Sequence, residues 1–189
     1  MQTIKLQATN ITSFYVRCGL AIFFLVITAS VSQAQTLRSA RDYVKRANTS
    51  YEKGDPDQAL ADYSRAIASN PFLAEAYAAR GVAWYKKGNL EQAIADYSTA
   101  LEIGPDSAAT YYNRGIARKA LGDLKGAIAD YNRAISTAPR FARAYAERGL
   151  ARLLEGEQEK AAADFRRCFK LDPNLKPSME SQIAEMNRP

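Results

Sequence analysis

The chain has no histidine among its 189 residues. That removes the commonest general base and the commonest metal ligand together. Cysteine is almost absent too. Cys18 and Cys168 are the only two, and without histidine they cannot complete a four-ligand structural zinc site. No Gly-x-Ser-x-Gly elbow, phosphate-cradling glycine loop or metal-spaced ligand set occurs. Charge of one sign is scarce as well: 26 basic residues face 20 acidic ones, for a net charge of +6. These absences leave no candidate catalytic residue, and neither a metal nor a cofactor is expected. The mild charge gives no clear phosphate footprint, so nucleic acid is not an expected partner. The 47% apolar content is that of a folded globular chain.

The N-terminus reads as an export signal. Residues 1–17 carry Lys5 and Arg17 and no acid. Gly19 to Ala29 is apolar throughout except for Thr28, and Ser32-Gln33-Ala34 is a small-x-small pattern suited to cleavage before Gln35. The expectation is a signal peptide over 1–34 and a periplasmic or secreted protein with no stable membrane insertion. The alternative is a membrane anchor over 19–31, although the apolar run is short against the roughly 20 residues of a comfortable span. Cys18 precedes the apolar run and is misplaced for a lipoprotein anchor. Cleavage would take Lys5 and Arg17 away and leave a net charge of +4, with Cys168 as the one remaining thiol. Such a chain has no internal disulfide.

Asp96, Tyr97 and Ser98 stand in a row and look at first like a reactive cluster. The chain supplies its own control. GDPDQALADYSRA, GNLEQAIADYSTA, GDLKGAIADYNRA and GEQEKAAADFRRC follow one another at intervals of 34 residues. The acid recurs as Asp62, Asp96, Asp130 and Asp164, and the aromatic as Tyr63, Tyr97, Tyr131 and Phe165. Phe165 has no hydroxyl, so the ring is there for its volume. The third residue drifts through Ser64, Ser98, Asn132 and Arg166.

Each period reads as two helices. In Ala74–Ser107, the residues Tyr77, Arg80, Gly81 and Trp84 share one helical face. Gly88 ends that helix, and Asn89 is expected to cap the next. The second helix buries Ala93, Tyr97, Ala100 and Leu101, and Pro105 stops it. Gly81 is expected to lie against Ala93, with the rings of Tyr77 and Tyr97 filling the space beside them. A single hairpin cannot hide its own apolar face, so the units must stack.

These residues at this spacing resemble the tetratricopeptide repeat. Tyr77, Gly81, Trp84, Ala93, Tyr97, Ala100 and Pro105 carry the resemblance in one copy. Tyr111, Gly115, Ala127, Tyr131, Ala134 and Pro139 carry it in the next, with Tyr43 to Pro71 before them and Tyr145 to Pro173 after. The chain departs from the family in having Arg46, Arg80, Arg114 and Arg148 where leucine is usual, and Ser50, Arg118 and Arg152 in the place of Trp84. The resemblance implies an all-α, α-α superhelix (solenoid). It divides into a lead-in at 35–39, repeats at 40–73, 74–107, 108–141 and 142–175, and a C-terminal capping helix at 176–189. The arginine and aspartate columns are expected to meet within or across units as a ladder that fixes the stacking register; an anion-binding stripe is the alternative. Met179, Ile183 and Met186 would form one face of the cap. Cys168 replaces Ala66, Ala100 and Ala134 of the other repeats; a small buried thiol is the expectation, an intermolecular disulfide the alternative.

The resemblance also implies a concave surface lined by the first helix of each pair and used to bind a peptide or protein partner. The lining residues expected there are Arg41, Lys45, Asn48, Tyr51, Tyr85, Tyr112, Asn113, Lys119 and Arg143. Aromatic and arginine side chains are favoured anchors in interfaces. A subgroup of the family clamps terminal carboxylates with lysine, asparagine and arginine. Ala78, Ala79, Val82 and Glu147 stand at clamp positions here, and no window holds a complete clamp. The expected function is an exported, non-enzymatic adaptor. The alternatives are a subunit of an envelope complex working through its convex face or tail, and an RNA-binding helical repeat.

Overall fold

The computed structural model describes Thr36 and residues 39–186. The expected signal over 1–34, the anchor alternative over 19–31, Cys18 and the last three residues of the expected cap lie outside the described residues. Among the described residues, every regular element is helical. Helix α1 covers 39–52. It is followed by α2 (Pro56–Ser69), α3 (Ala74–Lys86), α4 (Leu90–Ile103), α5 (Ala108–Ala120), α6 (Leu124–Thr137), α7 (Ala142–Leu154) and α8 (Gln158–Leu171). A single 3-10 turn, Pro173–Leu175, leads into α9 (Lys176–Met186).

The turn inside each pair is built by backbone alone. Gly54, Gly88, Gly122 and Gly156 have φ of 80–82°, a left-handed conformation that glycine adopts without a Cβ penalty. The next amide folds back on the helix just ended: Asn89 N–H donates to the Trp84 carbonyl at 3.0 Å, and Asp123 N–H to the Arg118 carbonyl at 2.9 Å. The side chains of Asp55 and Asp123 accept the amides of Gln58 and Gly126 and cap α2 and α6. Asn89 occupies the same position before α4, but its side chain makes no capping bond. The side-chain cap expected of Asn89 is therefore absent.

Close approach within a pair comes from a ring laid on a glycine. A Cβ on Gly81 would lie 2.7 Å from Tyr97 Cε1, one on Gly115 2.6 Å from Tyr131 Cε1, and one on Gly149 2.7 Å from Phe165 Cε1. Gly81 thus lies directly against the Tyr97 ring. Tyr77 does not share that space. It is half-buried, with the Arg80 guanidinium 5.7 Å over its ring. Between pairs, an alanine of each incoming first helix is fully buried: Ala83, Ala117 and Ala151. They join clusters with the aromatic and alanine of the preceding pair, as Ala117 does with Ala93 and Tyr97. Thr49 holds the equivalent place in α1 and is exposed; no described pair stands before it.

The arginine and aspartate columns form a continuous ladder. Arg46, Arg80, Arg114 and Arg148 each place Nε and one terminal nitrogen on the two carboxylate oxygens of Asp62, Asp96, Asp130 and Asp164, at 2.5–2.9 Å. This bidentate geometry is the strongest form of the pair. The remaining terminal nitrogen crosses to the preceding unit. Arg80 Nη1 donates to Ser64 Oγ at 3.1 Å, Arg114 to Ser98 Oγ at 3.0 Å and Arg148 to Asn132 Oδ1 at 2.6 Å. The drifting third residue of the sequence motif is therefore an acceptor wherever another repeat follows. Arg166 stands where none does.

Two departures from the family pattern also resolve here. Arg118 and Arg152 add a second guanidinium to Asp130 and Asp164 at 2.8 and 2.7 Å. Asp62, which faces Ser50 in that column, receives Arg65 instead at 2.6 Å. The Arg46 hydrogen bonds hold the Asp62 carboxyl well below the usual carboxylate range.

At the far end, Met179 of α9 is buried with Ala146, Leu150, Phe165 and Cys168, and Ile183 packs beside it. Met186 departs from the expected face: it is 40% exposed and lines a hollow beside α7. Cys168 is fully buried, and burial pushes its thiol pKa up. It packs like the alanines it replaces and presents no sulfur at the surface for an intermolecular disulfide.

Candidate interaction groove

Helix α3 touches α5, and α5 touches α7, whereas the second helices of successive pairs make no comparable contact. The first helix of each pair, α1, α3, α5 and α7, contributes to three hollows along one face. One of about 200 Å³ lies between α1 and α3, one of about 740 Å³ between α3 and α5, and one of about 410 Å³ among α5, α7 and α9.

The structure divides the sequence candidates among these places. Arg41, Lys45 and Asn48 line the first hollow together, opposite Glu75. Asn113 is on the wall of the second. Lys119 lines the third, where its ammonium is 2.5 Å from a carboxylate oxygen of Glu147. Tyr51 carries the Lys86 ammonium 4.7 Å above its ring, and Tyr85 is 38% exposed. Arg143 is exposed in the first turn of α7. Tyr112 is half-buried. Its ring is 4.8 Å from that of Phe141 and 6.1 Å from that of Tyr131, and burial pushes its hydroxyl pKa up to about 12. It lines none of the three hollows.

Asn48 also has a structural task. Tyr63 Oη donates to Asn48 Oδ1 at 2.6 Å. In the third repeat the residue matching Asn48 is Ile116, and the buried Tyr131 hydroxyl has no hydrogen-bond partner among the described residues. Tyr131→Phe is therefore expected to leave stability unchanged or raise it by up to about 1 kcal/mol, since it removes an unsatisfied buried group. Tyr63→Phe is expected to lower it by about 0.5–1.5 kcal/mol. Urea unfolding of the two variants checks the contrast; equal losses would remove it.

The largest hollow was not legible as a site. Its inner wall is Ala78, Ala79 and Val82, with Ala100 and Gly104 of the α4 end beneath and Ala109 opposite. In the sequence, Ala78, Ala79 and Val82 register only as missing clamp residues. The available signal was size: Ala78 and Ala79 stand where α1 has Val44 and Lys45 and α5 has Tyr112 and Asn113.

Profiles described as tetratricopeptide repeat match residues 44–108, 108–141 and 142–175. The chain belongs to the tetratricopeptide repeat family. No curated protein matches its sequence. Solved tetratricopeptide repeat structures do resemble it. The crystal structure of MamA is similar at 25% identity and a TM-score of 0.70, covering 79% of this chain and 86% of that one. TTC0263, a thermophilic tetratricopeptide repeat protein of Thermus thermophilus, is similar at 25% identity and a TM-score of 0.66, covering 79% and 84%. The first such domain of Spaghetti (RPAP3), solved with the HSP90 peptide SRMEEVD, shares the fold at 22% identity and a TM-score of 0.63, covering 64% and 95%.

Proposed function

We propose that this chain is an exported, non-enzymatic adaptor that holds an extended peptide or a helix of a partner protein along α1, α3, α5 and α7. The observation that carries the reading is the run of three hollows along one face, the largest about 740 Å³ and walled by alanine and valine. A hollow of that kind suits a side chain supplied from outside. The family supports the reading, as does the peptide held by the related RPAP3 domain. The signal-like start supports export. A carboxylate clamp is not part of the proposal, because Ala78, Ala79 and Val82 carry no charge to meet one.

Phe72 favours a second reading. It is 80% exposed on the turn between α2 and α3, away from all three hollows, and suits a structural subunit that docks through another face. In-cell photo-crosslinking separates the two. Reactive groups at Tyr85 and Asn113 are expected to capture one discrete partner, with none captured from Glu102 on α4. Capture from Phe72 alone would move the assignment to the second reading.

A further inference from the structure

We infer that the hollow between α3 and α5 is a specificity pocket for an aliphatic side chain of the partner peptide that has a lysine or arginine beside it. The inference rests on the groove-binding reading above and names the chemistry of what enters.

Gly104 gives the first argument. The matching residues of the other repeats are Asn70, Ala138 and Asp172. Its φ is −138°, extended backbone that any residue adopts. A Cβ there would meet Ala74 Cβ at 3.6 Å and the Ala100 carbonyl at 3.8 Å, both ordinary contacts. Neither backbone conformation nor packing requires glycine at this position. What its missing side chain does is deepen the hollow, in concert with Ala78 and Ala79 on the wall. Three short residues thus leave a volume of about 740 Å³ at one joint of the array. The equivalent joint between α1 and α3 holds about 200 Å³.

Charge gives the second argument. The lining of this hollow includes two carboxylates, Glu75 and Asp106, and no cation. Both are at the rim, and neither forms an ion pair among the described residues. The neighbouring hollow has the opposite balance, with Arg41 and Lys45 against the same Glu75. In the third hollow, Lys119 is already held by Glu147. The lining charges therefore differ along the groove: two carboxylates and no cation at the hollow between α3 and α5, two cations with Glu75 at the first, and Lys119 with Glu147 and Glu185 at the third. Complementary charge at a rim selects the partner and fixes its direction, while burial of the apolar group supplies the anchor.

The test is selection of random peptides displayed on phage against the full chain, with synthetic copies of the enriched peptides measured by fluorescence anisotropy. The expected consensus is an aliphatic residue next to lysine or arginine. Gly104→Leu and Ala78→Leu, two independent plugs, should each weaken these peptides by about tenfold or more. The double charge reversal Glu75→Lys with Asp106→Lys should switch the consensus neighbour to an acid. Acidic neighbours selected by the unaltered chain would overturn the inference. So would full affinity in both plugged variants. If those peptides still respond to Tyr85→Glu, groove binding survives and the pocket alone is lost. If no peptide is enriched, or none responds to any of these changes, both readings fall.

Discussion

Asp130→Ala is expected to cost about 3 kcal/mol, the lower end of what removal of one partner from a buried ion pair usually costs. Asp130 is 2% exposed and takes three charge-assisted hydrogen bonds: Arg114 Nε at 2.9 Å, Arg114 Nη2 at 2.7 Å and Arg118 Nη1 at 2.8 Å. Its loss leaves two guanidiniums side by side, with Asp123, 3.7 Å from Arg118 Nε, as their one remaining carboxylate partner among the described residues. Their side chains are 16% and 26% exposed, so water relieves part of the penalty and the upper end of the range is not reached. Arg114 is also the residue that reaches back to Ser98. Loosening it weakens the joint between the second and third units as well as the third unit itself. Stability in such arrays is roughly a sum of unit and joint contributions, so unfolding should lose cooperativity. Asp57→Ala is the control. That carboxylate pairs with Lys87 but is 78% exposed, and its removal should stay within about 1 kcal/mol. Urea denaturation of both variants decides the matter. Similar losses for the two would show that the ladder is an ordinary surface feature.

Gly115→Leu is expected to cost at least about 3 kcal/mol, at or beyond the usual range for overpacking. The first atom of the new side chain would already lie 2.6 Å from Tyr131 Cε1 and 2.9 Å from Cδ1. The obstacle is a ring, not a flexible end. Tyr131 is fully buried, clustered with Ala127 and Ala151 and packed against Tyr112, so it has nowhere to turn. The helices α5 and α6 would have to separate. Shrinking the ring should restore part of the loss: Gly115→Leu combined with Tyr131→Ala is expected to be less destabilised than the sum of the single changes. A double-mutant cycle from unfolding midpoints measures this coupling. Simple additivity would mean that the ring is not what excludes the leucine. Gly104→Ala is a useful contrast, because its Cβ meets nothing closer than 3.6 Å; it should change stability little.

Much of this was determined by the sequence alone, since it depends on period. Four recurrences at 34 residues, each with glycine at the inner turn and proline after the second helix, suffice for stacked helical hairpins, because local backbone preferences and the 3.6-residue repeat need no distant contact. The drop of the hydroxyl at Phe165 was enough to show that the recurring ring is packing and not chemistry. The presence of an arginine column and an aspartate column could likewise be read directly.

What only the tertiary structure decided concerns pairs of residues that periodicity does not connect. Whether Tyr77 or Tyr97 covers Gly81 depends on the angle between two helices. That each arginine binds its own unit's aspartate while reaching back to the preceding Ser64, Ser98 or Asn132 depends on the rise from one unit to the next. The largest of the three hollows depends on small residues from α3, α4 and α5 falling around one space. A missing side chain carries no pattern of its own along a sequence. It becomes a cavity only when the neighbours that could have filled it are held elsewhere by their own packing.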